Sequence, residues 1–368
     1  MMKINLSKEE QKEFTKLLET KDLNLDLNEL IAHFLQYDSK FIKAQAFKRL
    51  VEITGLSEKE ALLQLFLPYL EKIGKKALTL EISPTYFKEG LFLLDTKKYE
   101  ENPYYVNIKI SEIKDDKWHF KYSYYQAFEG FVYNDLIIKD ELGFLEIPRL
   151  GFFKQAFKYL EVYENGAEWM SITPNEIETM EEPLREMKGK VLCFGLGLGY
   201  FAYMASLKEE VSVVTIVEKE AEVIRLFKNR ILPLFAKAEK IKVVQADAFA
   251  FLKQDLDYDC VFFDLWHNAN DGLAYYLKLK KYEREKTKYY YWIERSILTL
   301  LRRATLIVIE DSLAGFNSEF YGDEGYDRLF KTIAQVLEKH EINTYQEICD
   351  LLSEESLKLL ARQVSQRL

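Results

Sequence analysis

Three glycines alternate with leucines in Val191-Leu-Cys-Phe-Gly195-Leu196-Gly197-Leu-Gly199, after an apolar run and before a helix expected to begin near Tyr200. Glycine permits a tight turn there and lets a ligand approach the backbone. The N-terminus of the following helix offers free N–H groups and the positive end of a dipole, which suit a carboxylate or phosphate. A tight strand-to-helix turn with no ligand has the same composition. Glu218 closes the next apolar run, Val213-Val-Thr-Ile-Val217, 19 positions after Gly199, and Lys219 follows it. A carboxylate there can accept both hydrogen bonds of a ribose diol; the plain alternative is a solvated acid at a strand end. Asp247 and Ala248 follow Val243-Val-Gln-Ala. An Asp beside a small residue can reach an adenine amino group, and it also suits the N-cap of a helix over Phe249-Ala-Phe-Leu252. Asp264 ends the apolar stretch Cys260-Val-Phe-Phe263, and His267 lies three residues on. Either can take a proton from a reacting group, although strand-end Asp residues also cap turns.

These residues need elements to carry them. From Lys190 onward, short apolar runs alternate with helical segments. The predicted strands are Val191–Phe194, Val213–Val217, Lys242–Val244, Cys260–Phe263 and Thr305–Ile309. That alternation predicts an α/β fold with a Rossmann-like open parallel sheet, truncated after its fifth strand. Such a sheet binds ligands at the carboxyl ends of its strands, where all four stretches fall. The chain after Asp311 reads as helical, over Leu329–Leu337 and Ile348–Val364.

The half before it has a different texture. Residues 1–75 are expected to be a helical segment. Ser7 with Glu10 and Ser57 with Glu60 fit capping boxes, and Leu27, Leu30, Ile31, Phe34 and Leu35 share one helical face. Residues 76–185 are expected to form a small antiparallel β domain, from alternation in Val106–Ile110 and Trp118–Tyr122 and the hairpin signal Asn165-Gly166. A helix over Glu176–Met187 leads into the ligand-binding domain, 186–368.

Bulk properties narrow the function classes. A net charge of -9 argues against a surface built wholly to hold nucleic acid. Cys193, Cys260 and Cys349 lie far apart and form no CxxC, which argues against a disulfide framework or a zinc cluster. The first residues lack a signal-peptide core, and the uncharged stretch Val191–Leu207 is short for a membrane span and broken by glycine. A cytoplasmic protein without a membrane partner is expected. Lys278-Leu-Lys-Lys-Tyr-Glu-Arg-Glu-Lys-Thr-Lys288 interleaves basic residues and aromatics near the expected substrate mouth. It can hold an acidic substrate or RNA, but Glu283 and Glu285 dilute it toward a solvated helix face.

In this order, the glycine loop, Glu218, Asp247 and Asp264 resemble the class I S-adenosylmethionine-dependent methyltransferases, and most closely their spermidine synthase-like branch. Cys193 stands where many methyltransferases carry an acid, and Ile216-Val-Glu218-Lys219-Glu-Ala-Glu-Val-Ile224 resembles the branch's ribose-binding strand end. The preceding β domain and Pro174-Asn-Glu-Ile-Glu-Thr-Met-Glu-Glu-Pro183 resemble its lead-in. The resemblance covers about residues 155–311 and implies S-adenosylmethionine, S-adenosylhomocysteine or decarboxylated S-adenosylmethionine as ligand. It implies Gly195, Leu196, Gly197, Gly199, Glu218, Lys219, Asp247, Ala248 and Asp264 around that ligand, with Asp264 as base; His267, three residues on, is the alternative base on its position alone. The first expectation is a methyltransferase acting on a small-molecule acceptor. Aminopropyl or aminoalkyl transfer is the alternative, although Asp264-Leu-Trp-His-Asn-Ala-Asn-Asp-Gly272 lacks the polyamine-binding pattern. A non-catalytic relative stays open, and so does a homodimer. An NAD-dependent oxidoreductase ranks lower, because Tyr200 is bulky where a dinucleotide loop wants Gly or Ala.

Overall fold

A computed structural model of the chain describes residues 2–72, 83–114, 117–254 and 257–368. Its C-terminal half is organised by a five-stranded sheet: β1 (Gly189–Phe194), β2 (Val211–Glu218), β3 (Ile241–Gln245), β4 (Cys260–Phe263) and β5 (Lys288–Tyr291). The order is β3-β2-β1-β4-β5, and every pairing is parallel. The fold is therefore the Rossmann-like α/β sheet that the alternation predicts. Val191–Phe194 and Cys260–Phe263 are buried throughout, as strands covered on both faces must be. The crossovers run outward from β1 through β2 to β3, then return to the other side of β1 for β4 and β5. The direction reverses between β1 and β4, and in open α/β sheets this reversal leaves a crevice at the carboxyl ends.

The fifth strand corrects the sequence reading. Thr305–Ile309 lies inside the helix Glu294–Leu313, 20 residues long, and Lys288–Tyr291 pairs with β4 instead. A short apolar run does not distinguish a buried strand from a helix buried on most sides. Here Leu298, Leu301, Ala304, Thr305, Leu306, Val308 and Ile309 are all buried, so the helix has apolar groups nearly all round.

The preceding region holds two sheets. Ile113–Lys114, Trp118–Tyr125, Phe157–Glu164 and Ala167–Ile172 pair antiparallel in one. Asn165 and Gly166 make the predicted turn, with φ of 51° and 85°. In the other sheet Leu145–Phe153 runs antiparallel to Phe131–Lys139 but parallel to Leu91–Leu94. Val106–Ile110 is not a strand. Asn102 accepts a hydrogen bond from the Tyr104 N–H and caps a short helix, Pro103–Asn107, with proline at its first turn.

The N-terminal segment is helical as expected: Lys8–His33, Ala44–Thr54 and Glu58–Lys72. Both capping boxes form, Ser7 with Glu10 and Ser57 with Glu60. Leu27, Leu30, Ile31 and Phe34 are buried in a cluster of their own, with Leu35 packed against it. Phe14 and Leu17 join the main core, which includes the C-terminal helices Gly325–Leu337, Tyr345–Leu352 and Glu354–Ser365. Among the described residues no helix is long and apolar enough to cross a membrane.

Candidate functional site

The loop after β1 turns through three left-handed glycines, with φ of 93° at Gly195, 49° at Gly197 and 74° at Gly199. Residues with a Cβ rarely adopt that region. The leucines between them, Leu196 and Leu198, are buried, whereas Gly195 and Gly197 keep accessible surface. The apolar side chains thus anchor the loop and leave the backbone at Gly195 and Gly197 partly accessible. A Cβ on Gly195 would overlap the carbonyl oxygen of Asp264. The glycine is needed because the strand ends of β1 and β4 pass this close.

Glu218, at the end of β2, faces the same loop. Its Oε2 accepts the Leu196 N–H at 3.3 Å, and its Oε1 accepts the Glu220 N–H at 2.9 Å. A carboxylate has about four lone-pair positions, so two backbone donors orient the group and leave acceptor capacity for a diol. Lys219 is exposed and lies 3.7 Å from Glu220. Asp247 caps the helix Ala248–Leu252, with Oδ1 accepting the Ala250 N–H at 2.9 Å. It is exposed at the end of β3, beside half-buried Ala248.

Asp264 follows β4 and is held by its own N–H, which donates to the Phe194 carbonyl at 2.9 Å. Its carboxyl is pushed up to about 7 by burial. Glu176, in the first turn of the helix Pro174–Glu186, is driven well above the usual carboxylate range, first by burial and then by the charge of Asp264. Like charges in one recess cannot both ionise freely, so ionised Asp264 works against ionisation of Glu176. Cys193 lies between the two halves of the site. Burial raises its thiol, and the charges of Asp264 and Glu218 raise it further. The loop, Glu218, Cys193, Asp264 and Glu176 therefore form one neighbourhood around the β1/β4 reversal. Glu176 was not singled out in the sequence; its only signal was its place in the lead-in segment.

His267 is placed differently. Its side chain is 83% exposed, and Nδ1 lies 3.3 Å from Asp271. Its N–H also donates to Asp271, next to the Asn268–Asp271 capping box that starts the helix Ala269–Lys280. It belongs to a helix entrance at the surface.

The preceding β region fastens the site. The Tyr104 hydroxyl donates to the Leu198 carbonyl at 2.6 Å, and Asn102 and Asn107 donate to the hydroxyls of Tyr200 and Tyr203. Met170, on the strand Ala167–Ile172, reaches the glycine loop. Its Sδ accepts the Leu198 N–H at 3.2 Å and packs over Gly197, where a Cβ would stand 2.5 Å from the sulfur. None of these contacts is legible in the local sequence, because each joins segments some 28 to 98 residues apart.

The basic run Lys278–Lys288 lies away from the crevice, contrary to expectation. Lys288 opens β5 and pairs with Cys260, the first residue of β4, so the run ends at the amino edge of the sheet. A crossover that leaves the carboxyl edge must travel back to this edge before the next parallel strand begins.

No family model matches the chain, and no curated protein does. Among solved structures the chain is similar to the spermidine synthase from Thermotoga maritima, with 14% identity and a TM-score of 0.28. The match covers 40% of this chain and 58% of that one, so the chain spans less than two thirds of the matched structure's length.

Proposed function

We propose that this chain is a group transferase. Its ligand would be an S-adenosyl sulfonium, bound across the β1/β4 reversal, and the group would pass to a small-molecule nucleophile beside Asp264. One observation carries this reading: a left-handed glycine loop, a preoriented acceptor at Glu218 and an elevated carboxyl at Asp264 meet at one sheet edge. The donor set suits the nucleoside part. Glu218 has acceptor capacity for a ribose diol, and Asp247 retains its second oxygen for an exocyclic amine. An S-adenosyl sulfonium supplies an electrophilic carbon whose leaving group is a neutral thioether. What remains for the protein is to align the nucleophile and to take its proton. Asp264 suits the second task, because a base titrating near 7 is matched to neutral pH. Methyl transfer is the leading form of the reaction. Aminopropyl transfer is the second reading, and the paired carboxyls of Glu176 and Asp264 favour it, since they would attract a cationic amine.

The test is calorimetric titration with S-adenosylhomocysteine and with 5′-methylthioadenosine, on the wild type and on Glu218→Ala. The wild type should bind at least one. The variant should lose about 1.5–3 kcal/mol, the worth of charge-assisted bonds to the ribose. Failure of the wild type to bind either compound refutes the proposal. Unchanged affinity in the variant removes Glu218 from the site.

A further inference from the structure

A second concavity lies on the outer side of the helix Ala269–Lys280, facing the helix Gly325–Leu337 and the end of the chain. Its volume is about 570 Å³, within the roughly 300–1,000 Å³ typical of small-molecule sites. The floor is apolar: Leu273, Leu277 and Leu329 line it and are buried, and Phe249 borders it. Tyr326 forms an aromatic lip that is 52% exposed.

One feature separates this groove from a packing defect, and it is charge. Lys278 and Lys281 stand on its rim, and neither forms an ion pair with a carboxylate among the described residues. Neighbouring cations behave differently. Lys280 is bonded to Glu283 and Glu294, Lys358 to Glu294 and Glu354, and Arg362 to Glu283.

We propose that this groove binds a free amphiphilic anion. Its apolar body would lie over Leu273, Leu277 and Leu329, and its carboxylate-type head would sit at Lys278 and Lys281. None of the lining residues belongs to the glycine loop, and the assignment does not depend on the adenosyl reading. A long neutral body alone would leave the two lysines unused, and a small inorganic anion would leave the apolar floor uncovered. Only a molecule with both parts satisfies the whole lining.

Isothermal titration with decanoate, 1-decanol and butyrate tests this on the full chain. Decanoate should bind one to one, at least 10-fold more tightly than either decanol or butyrate. Lys278→Glu with Lys281→Glu should weaken decanoate at least 10-fold. Lys286→Glu, an exposed change outside the groove, should have no effect. The lysine substitutions are at exposed positions, and circular dichroism of each variant confirms folding. Equal binding of decanol and decanoate would overturn the assignment, as would indifference to the lysine pair. Binding to phosphatidylglycerol vesicles with none to decanoate would overturn it too, because the face would then be a membrane contact.

Discussion

Asp264→Asn separates the charge of the recess from its shape. Asparagine keeps the outline of the side chain and cannot ionise. In the wild type the unfolded chain releases this proton near the ordinary 3.8, and the folded chain releases it near 7. Between those values the folded state holds more protons than the unfolded state. Stability must therefore fall as pH rises from about 4 to about 7, and level off above. The full elevation corresponds to at most about 4 kcal/mol. Asp264 is only half-buried by surface, so solvent screening reduces this to about 1–2 kcal/mol. The charge of Asp264 also raises Glu176, and removing it lets Glu176 ionise more easily, which adds in the same direction. The Asn variant should thus be more stable than the wild type by about 1–2 kcal/mol at pH 8, and nearly equal to it at pH 4.5. Urea unfolding followed by tryptophan fluorescence reads this, since Trp266 and Trp292 are buried and report the transition. A difference between the two proteins that is constant from pH 4.5 to 8 would refute the reasoning, because it would mean that Asp264 ionises freely in the folded state. If Asp264 is the base, turnover with a competent acceptor should fall about 10²–10⁴-fold in the same variant while ligand affinity changes little.

Two further substitutions test how the loop is held. Gly195→Ala should cost about 3 kcal/mol or more, from the left-handed backbone plus a collision with the Asp264 carbonyl. Gly166→Ala, at a similar φ with nothing within 4 Å, should cost only about 1–2 kcal/mol; equal shifts of the urea midpoint would show that the collision relaxes at no cost. Met170→Ala removes the sulfur from the Leu198 N–H and uncovers Gly197. If ligand must displace that sulfur, S-adenosylhomocysteine should bind about 3–10-fold more tightly to the variant, roughly the worth of one weak hydrogen bond. Weaker binding in calorimetry would instead make Met170 part of the ligand's cradle.

Local signals made the carboxyl edge of the sheet readable and left its supports hidden. The glycine loop, Glu218 and Asp264 each sit at the end of an apolar run, so strand and turn are written together in a few adjacent residues. Asp247 shows that the plain reading and the functional one can coexist: it caps Ala248–Leu252 through one oxygen and keeps the other. His267 is placed by a longer-range feature: the backbone after Asp264 runs into a capping box, which takes the ring to the surface beside Asp271.

The misplaced fifth strand has a physical cause that also explains the missed Glu176. Thr305-Leu-Ile-Val-Ile309 has the short apolar run expected of a buried strand, whereas Tyr289-Tyr-Tyr291 follows a basic run that resembles a solvated helix face. Local pattern of this kind is overridden by tertiary burial. Phe263 stacks on Tyr289 and Tyr291, with ring centroids 6.2 and 5.0 Å apart, so the tyrosine run is drawn into the sheet by cross-strand aromatic contact. With the sheet edge filled, the apolar run packs as a helix against Ala269–Lys280, the C-terminal helices and the strand Phe131–Lys139. Glu176 depends on the same kind of long-range contact. A glutamate in the first turn of a helix is ordinarily a solvated group that favours the helix dipole. It gains another character here because the helix Pro174–Glu186 is held against the strand ends by Trp292, whose indole N–H donates to Thr179 at 2.9 Å. Trp292 is the residue directly after β5. The placement of the tyrosine strand therefore decides where Glu176 meets Asp264, and a sequence reading that puts the fifth strand elsewhere has no means of seeing that pair.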